Sequence, residues 1–125
     1  MKVRAILLLI ALSAAPSMAA EINPVAKKEI QHLFSYLESS GCQFLRNGSW
    51  HSALDASKHL QQKYKYMLNR GGISTAESFI ERGASESSMS NKPYQVRCGN
   101  VAKADTSAAW FKAELARYRA AQSGK

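Results

Sequence analysis

Two cysteines, Cys42 and Cys98, are the only ones in a chain of 125 residues, so if they bond there is no choice of partner. The segments around positions 42 and 98 must then meet, because a disulfide needs Cα atoms within about 7 Å of each other. The alternative is a pair of buried free thiols. A redox-active Cys-x-x-Cys is excluded by the spacing, and a sulfur already oxidised cannot act as a nucleophile. The compartment decides between bridge and thiols, since disulfides persist in oxidising surroundings and are rare in the cytosol.

The amino terminus speaks for export. Lys2 and Arg4 are followed by an apolar or small-residue run from Ala5 to Ala15, and Ser17-Met18-Ala19 supplies small residues at alternate positions, the pattern of a secretory signal peptide cleaved near Ala19. A membrane anchor would need about 20 apolar residues, and a lipoprotein anchor would need a Cys after the run. The expectation is a signal peptide over 1–19 and a single domain over 20–125 with no transmembrane segment. In an oxidising space the bridge reading gains, and closing the loop between the cysteines stabilises by roughly 4 kcal/mol on the chain-entropy model.

A composition of 46% hydrophobic and 21% charged residues suits one globular domain and excludes collagen-like, low-complexity and disordered classes. Asn23-Pro24 opens a helix with Ile30, Leu33, Phe34 and Leu37 on one stripe. Residues 42–46 alternate as a strand, Asn47-Gly48 is a two-residue hairpin turn, and Ser49, Trp50 and His51 return. Ser52 caps a second helix lined by Ala53, Ala56, Leu60, Tyr64 and Met67. Ser74 with Glu77 predicts the cap of a third helix, with Ala76, Phe79, Ile80, Gly83 and Ala84 facing inward. A serine-rich loop over 85–91 leads past Pro93 to a strand over 94–98. Asp105 or Thr106 caps a last helix whose stripe is Phe111, Leu115 and Tyr118. On that helix Glu114 falls in the apolar sector, where Arg117 three positions on or a basic residue from another element could pair with it, although a simple tilt that leaves it at the boundary is the reading preferred. His32 on the first helix is expected to be exposed. The predicted fold is a small α+β domain, order α-β-β-α-α-β-α, with a two- or three-stranded antiparallel sheet packed on four helices.

Four stretches carry a resemblance. They are Ser40 to Gly48 (SGCQFLRNG), Ala56 to Lys63 (ASKHLQQK), Ser74 to Ile80 (STAESFI) and Ala84 to Tyr94 (ASESSMSNKPY). In this order they resemble the YfeK-like family of small exported bacterial proteins, a domain of unknown function. The resemblance implies a Gram-negative bacterium and a periplasmic address, and it brings no catalytic residues.

Chemistry therefore rests on the residues themselves. His59, Lys63, Tyr66 and Arg70 share one flank of the second helix, either as an anion-binding ridge or as the solvated face of a basic protein. Arg46 and Asn47 sit at the hairpin tip, where a guanidinium is free for a bidentate contact or is merely solvated. Ser85, Ser87, Ser88 and Ser90, followed by Lys92 and Tyr94, can cradle an oxyanion or simply bond their own backbone. His32, His51 and His59 lack zinc-ligand spacing, so no metal and no cofactor is expected. A serine hydrolase built on Ser88, His59 and Glu81 would lack the G-x-S-x-G turn.

With 17 Lys+Arg against 9 Asp+Glu, a formal net charge of +8, the reading preferred is a periplasmic, non-enzymatic module. It would bind an anionic or acidic envelope partner, whether protein, lipid head group or cell-wall polymer, through Arg46, Asn47, His59, Lys63, Arg70, Ser87, Ser88 and Tyr94. The alternatives are a small serine-dependent hydrolase and an inhibitor-like protein acting through its hairpin tip. Nucleic acid is set aside because export removes it and no groove-reading motif is present. The oligomeric state is left open.

Overall fold

The computed structural model describes residues 10–12, 22–99 and 103–125. Apart from 10–12, the expected signal peptide lies outside the described residues.

Local chemistry sets most of the boundaries. Asn23 Oδ1 accepts the Val25 N–H at 2.7 Å, and Pro24 takes the first position of α1 (Pro24–Ser39), where its missing N–H costs nothing. β1 (Gln43–Arg46) and β2 (Ser49–Ser52) are joined by Asn47 and Gly48, whose φ angles of +49° and +82° suit the turn that matches strand twist. Ser52 ends β2 and caps α2 (Ala53–Asn69), its hydroxyl accepting the Asp55 N–H at 3.2 Å. α3 (Ala76–Arg82) starts one residue later than the sequence suggests. Thr75, not Ser74, is the cap, and the reciprocal partner is the Ser78 hydroxyl, which accepts from the Thr75 N–H at 2.9 Å while Thr75 Oγ1 accepts from Ser78 N at 3.0 Å. Glu77 is thereby left for a long-range role. β3 (Gln95–Arg97) and β4 (Asp105–Thr106) follow, and Thr106 caps α4 (Ser107–Ser123).

The sheet runs β2-β1-β3-β4, antiparallel throughout. The α+β class and the element order stand, and the sheet gains β4 as a fourth strand. Two residues are too few to show alternation, and β4 forms only because the approach to α4 pairs with β3. Gln43 lies opposite Arg97; one step further along, Cys42 and Cys98 form a disulfide with Cα atoms 4.3 Å apart. The bridge therefore closes the β1–β3 ladder.

One sheet face, through Phe44 and its partner Val96, joins the core. Against it lie Ile30, Leu33 and Leu37 of α1, Leu60 of α2, Phe79 and Ile80 of α3, and Phe111 and Leu115 of α4. The ring of Phe79 is fully buried and meets Phe34, Tyr64 and Phe111 with centroids 5.4, 5.4 and 6.5 Å away. The Arg119 guanidinium of α4 ties the helices. It donates to both carboxylate oxygens of buried Glu29 on α1, at 2.6 and 3.0 Å, and also pairs with Glu77 of α3.

Two side chains differ from expectation. Glu114 is buried rather than tilted to the boundary, and it takes the other course open to it, pairing with Arg117 at 3.2 Å. His32 is half-buried, stacked on Tyr118 at 4.3 Å between ring centroids, because α4 covers the flank of α1 that a lone helix would show to water.

Candidate functional site

Three separate stretches of chain build one concavity. α2 contributes His59 and Lys63, one turn apart on the same flank. The hairpin contributes Arg46 at the end of β1, the tip residue Asn47, and two residues across the turn. The third wall is the serine loop, which is strapped into shape by its own backbone. Ser87 N–H donates to Lys92 O at 3.0 Å, Asn91 N–H to Ser87 O at 2.9 Å, and Tyr94 N–H to Ser85 O at 2.9 Å. Asn91 takes φ +56°, a left-handed angle that Asn tolerates. Ser90 Oγ donates to Asn47 Oδ1 at 2.6 Å, joining the loop to the hairpin tip across 43 positions.

Between these walls lies an open space of about 470 Å³, lined by Arg46, Asn47, His59, Lys63, Ser87, Ser88 and Tyr94 together with Ser49, His51 and Met89. Seven of the eight residues singled out from the sequence meet there. Arg70 does not. It caps the C-terminus of α2 and lies 4.3 Å over the Tyr66 ring, further along the helix. Ser49 and His51 were missed, although the hairpin register carried them. Arg46 faces Ser49 and Phe44 faces His51, and directly opposed residues share a face of the sheet. Met89, 93% exposed, gave no sequence signal.

Tyr94 is the hinge of the site's electrostatics. Its hydroxyl lies 3.3 Å from His59 Nε2 and 3.3 Å from Lys63 Nζ, and Lys63 also donates to the Glu86 carbonyl at 2.7 Å. Burial holds the Tyr94 phenol above its ordinary range, against the opposing pull of Arg46, so the hydroxyl keeps its proton. Burial also pushes His59 below the usual histidine value, and the positive neighbours Arg46, Lys63 and His51 push the same way. Lys63 is lowered by burial and partly restored by Glu86. With the His59 proton on Nδ1, Nε2 accepts from the Tyr94 hydroxyl, which accepts in turn from Lys63; with the proton on Nε2, the ring donates to that hydroxyl instead. Among the described residues the half-buried Arg46 guanidinium makes no hydrogen bond or ion pair. The site is thus a positively biased hollow in which one cation is committed and another is free.

The serines divide by task. Ser87 Oγ accepts the Met89 N–H and Ser90 Oγ the Lys92 N–H, both at 3.3 Å, which is ordinary loop work. Ser88 is exposed and lines the concavity. For a hydrolase the arrangement is poor: His59 Nε2 faces the Tyr94 hydroxyl, and Glu81 is exposed on α3 and does not line the concavity. The hairpin tip is tied to Ser90 rather than free to insert, and Trp50 lies on the other sheet face under Arg97, 3.9 Å from its ring centroid. Among the described residues no three His, Cys, Asp or Glu side chains gather in a metal-binding group. No helix among them is long and apolar enough to cross a membrane.

Residues 24–119, which hold all of these walls, match the model of a family of unknown function, DUF5329. The chain belongs to this family. An uncharacterized protein of Salmonella typhimurium, YfeK, is similar to it, with 37% identity over 76 residues, covering 60% of this chain and 62% of the relative. The chain therefore spans about three fifths of that relative's length. The YfeK-like resemblance is borne out, and DUF5329 membership brings no assigned chemistry. No solved structure matches the chain.

Proposed function

We propose that this protein is an exported, periplasmic, non-enzymatic binding module whose concavity holds an oxyanion, the phosphate or carboxylate of an acidic protein, lipid head group or cell-wall polymer in the envelope. The observation that carries this reading is the half-buried Arg46 guanidinium, unpaired among the described residues, lining a hollow that it shares with Lys63, His59 and a strapped loop. A partly desolvated cation without a counter-charge favours an incoming anion, and a guanidinium presents two parallel N–H donors to it. The exposed Ser88 hydroxyl supplies a further donor. Export is supported by the amino-terminal pattern and by the disulfide, which suits an oxidising space.

Titration calorimetry with inorganic phosphate and with acetate, at low and at high salt, tests the reading. Binding is expected at low salt, weakening as salt screens it, and falling at least about tenfold in Arg46→Glu and Lys63→Glu. Arg70→Glu, outside the concavity, is expected to bind like the wild type. Equal losses in all three variants would mean general surface charge and no site; no binding of either anion would refute the module. For the address, the protein taken from the periplasmic fraction of its host is expected to start at residue 20 and to lack both thiol hydrogens by mass. A full-length cytosolic dithiol would refute export.

A further inference from the structure

The concavity continues beyond its polar wall. Arg46, His51, His59 and Tyr94 also border a narrow slot leading inward, whose depth is formed by Leu37, Phe44, Leu60, Ala84 and Phe111. All five are buried core side chains, so the slot is mainly apolar, the buried Ser107 being its one inner polar residue, where the outer hollow is cationic. The acidic residue on its border, Asp55, is exposed in the first turn of α2. The slot leaves about 40 Å³ for water-sized bodies, room for roughly three waters or about three or four carbon atoms. Water gains little in such a place, because an ordered water needs polar partners on several sides. A short hydrocarbon gains its full transfer free energy. At the outer rim Met89 adds a flexible apolar lip.

We infer that the ligand is a short amphiphile: an oxyanion held at Arg46 and Lys63, carrying an aliphatic arm of about three or four carbons that enters the slot. This rests on the anion-binding reading above and narrows it, since a long acyl chain or a bulky ring exceeds the slot while a bare anion leaves it unused.

A series of n-alkyl phosphates from methyl to octyl, titrated calorimetrically into the full protein beside inorganic phosphate and 1-butanol, tests the inference. Affinity is expected to rise about fourfold per methylene as far as propyl or butyl and then to level off, with 1-butanol far weaker than butyl phosphate. An affinity independent of chain length, with Arg46-dependent phosphate binding intact, overturns the arm and leaves the anion site standing. A rise continuing through octyl overturns the short arm in favour of a lipid chain, and a failure of every phosphate to bind overturns both. Ala56→Leu, which fills the slot from α2, is expected to erase the chain-length dependence while keeping the affinity for methyl phosphate. Should that variant fail to fold, nuclear Overhauser effects in the wild type decide: contacts from the terminal methyl of butyl phosphate to Leu60 and Phe111 are expected, and their absence refutes the placement.

Discussion

Arg46 and His59 show how much a single residue's setting matters here. Their sequence neighbours are ordinary, and only the fold leaves one guanidinium without a partner among the described residues and one imidazole short of water. Burial, followed by Arg46, Lys63 and His51, lowers the pKa of His59 from 6.5, so the folded protein resists protonating a ring that the unfolded chain protonates readily. The stabilisation is therefore complete above the unfolded value and is lost as pH falls below about 6.5 towards the lowered folded value. Urea denaturation across this range should show stability declining on acidification, less steeply in His59→Gln; parallel curves would rule the linkage out. An anion bound beside the ring would raise its pKa, so phosphate should move the His59 titration upward when followed by NMR. Gly83 is a second residue whose role is local. A Cβ there would sit 2.8 Å from Phe79 O and 2.9 Å from Met67 Cε, tighter than side-chain carbons tolerate. Gly83→Ala should cost about 1 kcal/mol or more in thermal or urea unfolding; an unchanged midpoint would show that the α3 end yields.

At the scale of elements, two cross-links hold the walls in place. The disulfide closes the β1–β3 ladder, and the double variant Cys42→Ser with Cys98→Ser should lose up to about 4 kcal/mol of unfolding free energy, with the anion site loosened because Arg46 ends the same strand. Arg119 links α1, α3 and α4 through Glu29 and Glu77. Arg119→Ala leaves the Glu29 carboxylate buried and unpaired, at a cost of about 2 kcal/mol, below the range for fully buried pairs because the guanidinium is half exposed. Urea midpoints check both, and a loss under half a kilocalorie in either would contradict the role given to it. The elements themselves were legible in the sequence wherever one local bond decides them: Asn23-Pro24, Asn47-Gly48, and Ser52 with Asp55. The α3 cap falls one residue beyond the expected Ser74 because Ser74 and Thr75 are both competent caps, and the Ser78 hydroxyl settles the choice. β4 was unreadable, since its two residues gain strand geometry from β3 rather than from their own propensity.

For the whole molecule, seven of the candidate binding residues could be chosen as chemically apt from the sequence, but their convergence could not. The helix flank predicted His59, Lys63 and Arg70 together, yet a straight helix carries Arg70 past the hollow that the hairpin and serine loop enclose. The Ser90–Asn47 bond and the inward slot depend on chain segments dozens of residues apart, where no pattern in the sequence reaches. The most direct check on the account is a map of backbone amide shifts as butyl phosphate is added at low salt. Shifts are expected to gather at Arg46, His51, His59, Lys63 and the 87–89 loop, to be abolished by Arg46→Glu and to leave Arg70 still. Shifts spread evenly over the basic surface, or an undisturbed spectrum, would contradict it.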